Sequence, residues 1–239
     1  MLAYWNFDEG TGTTAYDLTG NLNNGTLNGG TSWTTGKFGS ALKFDGNNDW
    51  VSFNTSSAIN LLSSPFSVET WVKGNATDNY GDWKLLFDKT HGFEDYTGWV
   101  MQFQKANSVE NTGKLEFGFG NGSGWQTVLS PNILDGYWHQ VVGTYDGSYI
   151  RLYIDGNLVA TQVASTNATN TRPMEMGSRY PKGRYFEGSI DESAIFNEAL
   201  SQETISNHYA NGIVPEPATM SLLGLGLLGL IGFKKRSKR

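Results

Sequence analysis

Residues 138–163 read WHQVVGTYDGSYIRLYIDGNLVATQV, and this stretch decides the fold. It contains two Asp-Gly pairs, Asp146-Gly147 and Asp155-Gly156, which favour the tight turns of β-hairpins. Between these pairs every second residue is apolar: Ile150, Leu152 and Ile154. Alternation with a period of two is typical of antiparallel strands that bury one face. The stretch therefore predicts three short strands joined by tight turns, a β-meander.

The same alternation continues on both sides of the meander. It occurs in FSVETWVKG at 66–74, WVMQFQ at 99–104 and LEFGFG at 115–120, and it predicts half-buried strands there. One helix is predicted in ALSQETISNHYANG at 199–212, with Ser201 as the N-cap and Gly212 at its end. We therefore predict an all-β fold, a two-sheet antiparallel jelly-roll sandwich with one short C-terminal helix.

Composition limits the classes of function. The chain has 239 residues, no cysteine and a formal net charge of −6, so disulfides, thiolate nucleophiles and cysteine-based zinc sites are excluded. Residues 1–214 carry 12 basic and 22 acidic side chains. Nucleic acid is therefore not an expected partner, because its binding needs clustered Lys and Arg. An acidic body is compatible with calcium, which prefers carboxylate oxygens.

Five segments, in order, resemble the laminin-G-like jelly-roll domains of the concanavalin A-like lectin/glucanase superfamily. They are YWNFDEGTGTTAYDLTGNLNNGTL at 4–27, GKFGSALKFDGNNDWVSF at 36–53, FSVETWVKG, the meander, and GSIDESAIFNEALSQETI at 188–205. The resemblance covers residues 2–212, and we place the domain at 1–213. It implies two stacked antiparallel sheets, a structural calcium in many members, and a binding or adhesive role more often than catalysis.

The resemblance also implies where calcium would bind. The ligands would be Asp191 on a late strand, Asp8 after the first strand, and the turn of Asp45 and Gly46. Two simpler interpretations stay open. Asp45 fits an ordinary Asp-Gly turn, and Asp8 fits a solvated loop carboxylate.

Aromatic residues in predicted loops are the candidates for ligand binding: Trp83, Tyr96, Trp125 and Tyr180. Sugar rings present C–H groups that stack on aromatic faces, which makes a carbohydrate the expected ligand. Aromatic side chains also fill β-sandwich cores and plug loops, so a purely structural role for each ring stays open.

No catalytic residues are predicted. A glycoside hydrolase of this superfamily needs paired carboxylates on one strand face, and LEFGFG offers Glu116 alone. Asp191 and Glu192 are adjacent, so on a regular strand they would point to opposite faces. His91, His139 and His208 are scattered. A polysaccharide lyase, whose site has no local motif, stays open as the enzymatic alternative.

The end of the sequence differs from the rest. Residues 218–233 are apolar except for Thr219 and Ser221, and residues 234–239 read KKRSKR. We predict a single transmembrane helix over 218–233, with the basic end cytoplasmic by the positive-inside rule. Its glycines would also suit a helix–helix interface.

Pro215, Glu216 and Pro217 precede this apolar segment. The three parts in this order, over 214–239, resemble the PEP-CTERM sorting signal. The resemblance implies recognition of the Pro-Glu-Pro motif and processing by an exosortase, a membrane transpeptidase-like enzyme, and a location in the cell envelope or outside the cell. The apolar span is then expected to anchor the protein only until the tail is cut. MLAYWNFDEG has no basic n-region and no apolar h-region, so we expect either that a secretory signal was trimmed or that the gene starts further upstream.

Together these features predict an exported, non-enzymatic lectin-like protein. Its module would bind extracellular polysaccharide or another surface glycan. A structural matrix protein that binds nothing small is the second interpretation, and a polysaccharide-degrading enzyme is the third. The jelly-roll fold hosts too many functions to decide among them.

Overall fold

The computed structural model describes residues 1–54, 59, 65–79, 81–90, 95–105, 113–165, 168–179 and 183–213. These residues form two antiparallel β-sheets of eight strands each, which confirms the predicted sandwich. The predicted transmembrane helix at 218–233 lies outside the described residues.

The first sheet has the order β14-β13-β12-β7-β16-β5-β4, and β1 pairs with β16 beside this path. Its strands are β1 (Ala3–Trp5), β4 (Ser32–Thr35), β5 (Ser40–Asp45), β7 (Phe66–Lys73), β12 (His139–Tyr145), β13 (Tyr149–Ile154), β14 (Asn157–Val163) and β16 (Glu187–Phe196).

The second sheet has the order β11-β10-β9-β8-β15-β6-β3-β2. Its strands are β2 (Thr14–Ala15), β3 (Gly25–Asn28), β6 (Trp50–Phe53), β8 (Lys84–Thr90), β9 (Gly98–Phe103), β10 (Lys114–Gly120), β11 (Trp125–Asn132) and β15 (Glu175–Met176).

The predicted meander is β12, β13 and β14. Its second turn has Asp155 and Gly156 at φ 49° and 76°, the left-handed conformation that a tight hairpin turn requires. Ile150, Leu152 and Ile154 all join the main core between the sheets, as their alternation predicts.

The predicted helix is α1 (Gln202–Asn211). The Ser201 side chain accepts a hydrogen bond from the Thr204 N–H at 3.1 Å, and Gly212 at φ 78° ends the helix. The helix covers the outer face of the first sheet, where the Tyr209 ring stacks on Trp71 at 5.5 Å. His208 Nδ1 lies 2.7 Å from Glu69 Oε2.

The prediction of half-buried strands is wrong for β7 and β9. Seven of the eight residues of β7 and all six of β9 are buried. In β7 the cause is α1, which covers the outer face and leaves Glu69 fully buried against His208. A glutamate is expected to face water because its side chain is polar. The contact with His208 on α1 overrides this tendency and keeps Glu69 buried.

Candidate functional site

A cleft of about 480 Å³ opens on the second sheet. On β9 the residues that line it alternate with Trp99, Met101 and Phe103, which face the core. The lining residues come from β9, β10, β11 and three loops: Trp83, Val100, Gln102, Gln104, Glu116, Trp125, Thr127, Arg179 and Arg184.

The floor of the cleft is a pair of polar side chains on neighbouring strands. Gln102 lies directly opposite Glu116 across β9 and β10, and its amide Nε2 donates to Glu116 Oε2 at 2.9 Å. The carboxylate fixes this orientation, because the opposite amide orientation would set two acceptors against each other. Gln102 is 1% exposed, and its Oε1 accepts no hydrogen bond from the part of the chain that the structure describes. A buried acceptor in this state favours a buried water molecule that donates to it.

One wall of the cleft is built on Trp83. The Arg184 guanidinium lies over the Trp83 indole, with Cζ 4.5 Å from the ring centroid. Arg184 Nε is 3.7 Å from Asp82 Oδ2, so the stacked cation is also held by an ion pair. Burial lowers the pKa of Arg184, and the nearby Arg179 lowers it further. The indole is therefore held by a stacked cation while it lines the cleft.

Trp125, the first residue of β11, forms another part of the wall. Tyr96 packs edge-on against it, with ring centroids 6.4 Å apart and an interplanar angle of 67°. Tyr96 has φ 51°, a left-handed conformation that is uncommon for an aromatic residue. The turn around Tyr96 thus supports Trp125 rather than filling the cleft.

The structure brings together three of the four aromatic residues predicted from sequence. Trp83 and Trp125 line the cleft, and Tyr96 contacts Trp125. Tyr180 lies outside the described residues. The sequence analysis missed Gln102, Gln104 and Thr127 as lining residues. Two glutamines at alternate positions of WVMQFQ, beside the polar face of LEFGFG, are the signal that points to them.

The predicted calcium ligands are not gathered around one point. Asp8 and Asp191 both accept hydrogen bonds from the turn at the start of β5, whereas Asp45 is the last residue of that strand and Gly46 follows it. Ser40 and Asp45 are five residues apart, which corresponds to about 17 Å along a strand. One ion cannot bind both groups.

Main-chain and amide N–H groups already occupy the oxygens of the first two carboxylates. Asp191 Oδ2 accepts from Lys37 N at 2.8 Å and Phe38 N at 3.0 Å, and its Oδ1 accepts from Glu192 N at 2.8 Å. Asp8 Oδ1 accepts from Ser40 N at 2.8 Å, and Asn6 Nδ2 donates to its Oδ2 at 2.9 Å. These N–H donors compete with a cation for the same oxygens, and calcium binding by Asp8 and Asp191 stays a prediction. Across the described ranges, no group of three His, Asp or Glu side chains is arranged to hold a metal ion.

Asp45 instead makes a local turn, in agreement with the simpler interpretation. Its Oδ1 accepts from Asn47 N at 2.9 Å, and its own N–H donates to Asp49 Oδ2 at 2.8 Å. The hydrogen bond from Asn47 lowers the pKa of this exposed carboxyl group. The side chain stabilises the Asp-Gly turn.

Two buried carboxyl groups lie away from the cleft. Loss of hydration raises the pKa of Asp191 to about 7 and that of Glu192 to about 8. A β-bulge between Asp191 and Ala194 interrupts the strand, and Glu192 has φ 47°. The Tyr4 hydroxyl donates to Glu192 Oε2 at 2.5 Å. Neither carboxyl group is accessible enough to act on a polymer, since they are 0% and 4% exposed.

The cleft also lacks paired carboxylates. Among the described residues that line it, Glu116 is the single acid. Of the described histidines, His139 is bracketed by Asp155 at 2.7 Å and Asp135 at 3.1 Å, and His208 contacts Glu69. These contacts connect turns and the helix to the sheet, and none of the three acids lines the cleft.

Comparisons with solved structures give the same fold. The binding domain of Paraclostridial Mosquitocidal Protein 1 has a TM-score of 0.69 at 16% identity, over 87% of this chain and 51% of that one. Domain 4 of AbnA, a GH43 extracellular arabinanase from Geobacillus stearothermophilus, solved with arabinotriose, has a TM-score of 0.64 at 20% identity. That match covers 86% of this chain and 96% of the other.

A curated relative is the non-toxic nonhemagglutinin type A of Clostridium botulinum, which is 27% identical over 176 residues. The match covers 71% of this chain but only 13% of that protein's length. The Paraclostridial protein is matched over its binding domain, and the Clostridium botulinum relative is a non-toxic protein. The AbnA match is one domain of a glycoside hydrolase.

Two family models match the chain. Residues 214–237 match the PEP-CTERM protein-sorting motif, which agrees with the resemblance in the sequence. The motif residues Pro215, Glu216 and Pro217 lie outside the described residues. Among the residues that the structure does describe, no helix is long and apolar enough to cross a bilayer. Residues 45–206 match the other model, and the chain therefore belongs to the concanavalin A-like lectin/glucanases superfamily.

Proposed function

We propose that the cleft of the second sheet binds a carbohydrate chain of the cell envelope or extracellular matrix. The observation that carries this proposal is the placement of two tryptophans, Trp83 and Trp125, around a floor of amide and carboxylate groups. The Trp125 indole, and the part of the Trp83 indole that Arg184 leaves uncovered, provide apolar area for the C–H face of a sugar ring, and the polar floor selects hydroxyl groups.

The floor fits a ligand with hydroxyl donors. Glu116 is the partly exposed group of the floor, so its carboxylate oxygens accept hydrogen bonds from sugar hydroxyls, while the buried Gln102 amide holds that carboxylate in place. A site with buried polar groups discriminates strongly against analogues that lack the matching hydroxyl. Glu116, oriented by Gln102, is therefore proposed to decide which sugar is bound, and the tryptophans to supply affinity.

We propose a binding role without catalysis. Glu116 alone lines the cleft among the described acids, whereas glycoside hydrolysis uses two carboxyl groups on either side of the bond. The structure of AbnA domain 4 with arabinotriose is a precedent within this fold for a sugar on a separate domain of a larger enzyme.

We further propose that an exosortase-type enzyme recognises Pro215, Glu216 and Pro217 and sorts the protein to the cell surface. The match to the PEP-CTERM motif supports this part. In this proposal the apolar sequence 218–233 enters the membrane, the basic residues 234–239 stay cytoplasmic, and the jelly-roll body lies outside the cytoplasm.

The experiment is a binding assay with envelope polysaccharides and the full chain in a non-glycosidic detergent. Trp83→Ala and Trp125→Ala are expected to weaken binding at least about tenfold, as for an aromatic hot spot. Tyr137→Ala is the matched control, because Tyr137 is 73% exposed and outside the cleft. Unchanged binding in both tryptophan variants would contradict the proposed site. Absence of binding to every polysaccharide would favour a structural matrix role.

A further inference from the structure

The loop that joins β2 to β3 exposes three large apolar side chains. Tyr16, Leu18 and Leu22 are 55%, 49% and 70% exposed, and we call these three side chains the apolar tip. Asp17 is the sole charged residue from Thr14 to Asn28, and it is only 8% exposed. The surface of this loop thus has no exposed charge, and the three apolar side chains stand beside polar Asn21 in a protein whose body is strongly acidic.

The loop is ordered by hydrogen bonds. Asp17 accepts from the N–H groups of Tyr4 at 3.2 Å, Thr19 at 3.0 Å and Asn23 at 3.0 Å. Leu22 has φ 61°, a left-handed conformation that is costly for leucine. A rigid loop that holds a leucine in this conformation, with its side chain in water, indicates a partner that covers it.

The apolar tip is close to the point where the chain leaves the domain. Leu18 N donates to the Tyr4 carbonyl at 2.8 Å, and Asn21 Nδ2 donates to the Leu2 carbonyl at 3.0 Å. The Tyr4 hydroxyl in turn lies 3.2 Å from the carbonyl oxygen of Ile213. One tyrosine therefore connects the loop to the last described residue of the chain.

The length of the remaining chain limits how far this point can be from the apolar sequence. Four residues, 214–217, separate Ile213 from Ala218, where the apolar stretch begins. Even fully extended, the connection spans about 17 Å. If 218–233 enters a bilayer, the surface of the domain around Ile213 is therefore at or near the lipid headgroups.

We propose that the apolar tip inserts into the lipid surface of the membrane that the tail enters. This inference rests on the proposed membrane entry of residues 218–233, and it concerns the protein before its tail is processed. Insertion of three side chains is weak by itself, but the tail keeps the loop at a high effective concentration beside the membrane. Because the loop exposes no charged side chain, its insertion avoids the large cost of taking a charge out of water, and the smaller cost of polar groups such as Asn21 remains.

This contact would also orient the cleft. The loop joins β2 and β3 at one edge of the second sheet, and Trp125 is on β11 at the other edge. Seven strand spacings separate the two edges, about 34 Å along the sheet. A domain seated on its apolar tip would hold the cleft away from the lipid, open to polymer.

The test uses cysteine labelling, which is specific because the chain has no native cysteine. An environment-sensitive fluorophore is attached at Leu22→Cys in the full chain, which is reconstituted into phosphatidylcholine vesicles. Tyr137→Cys is the matched control, since Tyr137 is 73% exposed and Leu22 is 70% exposed.

The control is also at a distance. Gly136, next to Tyr137, donates to the Gly74 carbonyl, and the preceding residue Lys73 pairs with Ser189 on β16. The loop that carries the apolar tip instead contacts Tyr4, which pairs with Ala194 further along β16. Five residues of β16 correspond to about 17 Å. The two probes therefore report on opposite ends of the sandwich.

We expect a blue shift of the emission at position 22, with quenching by nitroxides near the lipid headgroups, and neither effect at position 137. Vesicle flotation separates this inference from the proposed function. A protein that does not float with the vesicles would contradict membrane entry of the tail, and with it this inference. A protein that floats with position 22 unquenched would overturn the insertion alone. A blue shift without lipid quenching would also overturn it, because protein would then cover the loop.

Discussion

The replacement Glu192→Gln tests the electrostatics of the buried acidic pair. Glu192 is 4% exposed and accepts a hydrogen bond from the Tyr4 hydroxyl. Burial raises the pKa of Glu192 to about 8, and the carboxylates of Asp191 and Asp8 add to the increase, while the Tyr4 hydrogen bond opposes it. Glutamine keeps the shape of the neutral acid and removes its proton equilibrium.

The magnitude follows from the difference between the folded and unfolded states. The ordinary pKa of this carboxyl group is 4.5, so the folded state holds the proton over a wider pH range than the unfolded state. A group of this kind stabilises the fold fully below its unfolded pKa, and the contribution is lost as pH rises through the folded pKa. The difference between the two values corresponds to at most about 5 kcal/mol of unfolding free energy.

The assay is urea denaturation of wild type and Glu192→Gln at several values between about pH 5 and pH 9. The two proteins are expected to have similar stability at the acidic end, where Glu192 is protonated. At the alkaline end the glutamine variant is expected to be the more stable. The unfolding free energy of the variant is still expected to fall somewhat as pH rises, because the pKa of Asp191 is also raised, to about 7. Equal declines in the two proteins would refute the reasoning, because Glu192 would then not be the group that titrates.

Three further predictions concern packing, backbone strain and metal binding. A methyl group at Gly143 would overlap the buried Phe117 ring, so Gly143→Ala should destabilise the fold by about 1–3 kcal/mol in urea denaturation; an unchanged midpoint would contradict the close packing of β12 on β10. Leu22→Asn should stabilise it by up to about 1 kcal/mol in the same assay, since asparagine tolerates φ 61° better; a loss of stability would show that Leu22 packs on its own domain. Calcium or EDTA should change Tm little, because N–H donors compete for the oxygens of Asp8 and Asp191; an increase in Tm with calcium would confirm the predicted metal site.

Much of the fold can be predicted from sequence because the local signals agree with the tertiary structure. The Asp-Gly turns and the alternation of Ile150, Leu152 and Ile154 predict the meander, and all three side chains enter the core. Ser201 and Gly212 mark the ends of the helix in the structure as well. These signals act within a few residues, so they can be recognised without knowledge of the partners.

Burial by distant elements cannot be predicted in this way. From the sequence alone, Glu69 is expected to face solvent. It is buried because His208 on α1, more than a hundred residues later in the chain, lies against it. Asp191 is similar, since its partners include main-chain N–H groups at Lys37 and Phe38. A carboxylate in an apolar strand needs a partner, and the sequence does not say which kind.

The cleft contains both residues that can be predicted from local sequence and residues whose role depends on distant strands. Trp83 and Trp125 can be selected from sequence as aromatic residues in loops, but the floor that makes them a site depends on the pairing of β9 with β10. That pairing sets Gln102 opposite Glu116. An alternating strand shows which residues share a face, whereas the identity of the neighbouring strand is a property of the whole sheet.

The most direct test of the central claim is the affinity of the full chain for envelope polysaccharide, measured with wild type, Trp125→Ala and Tyr137→Ala in parallel. The proposed site predicts that wild type and Tyr137→Ala bind equally well and that Trp125→Ala loses at least about tenfold in affinity. Equal affinity of Trp125→Ala and wild type, or no binding by wild type, would contradict a carbohydrate site in the cleft.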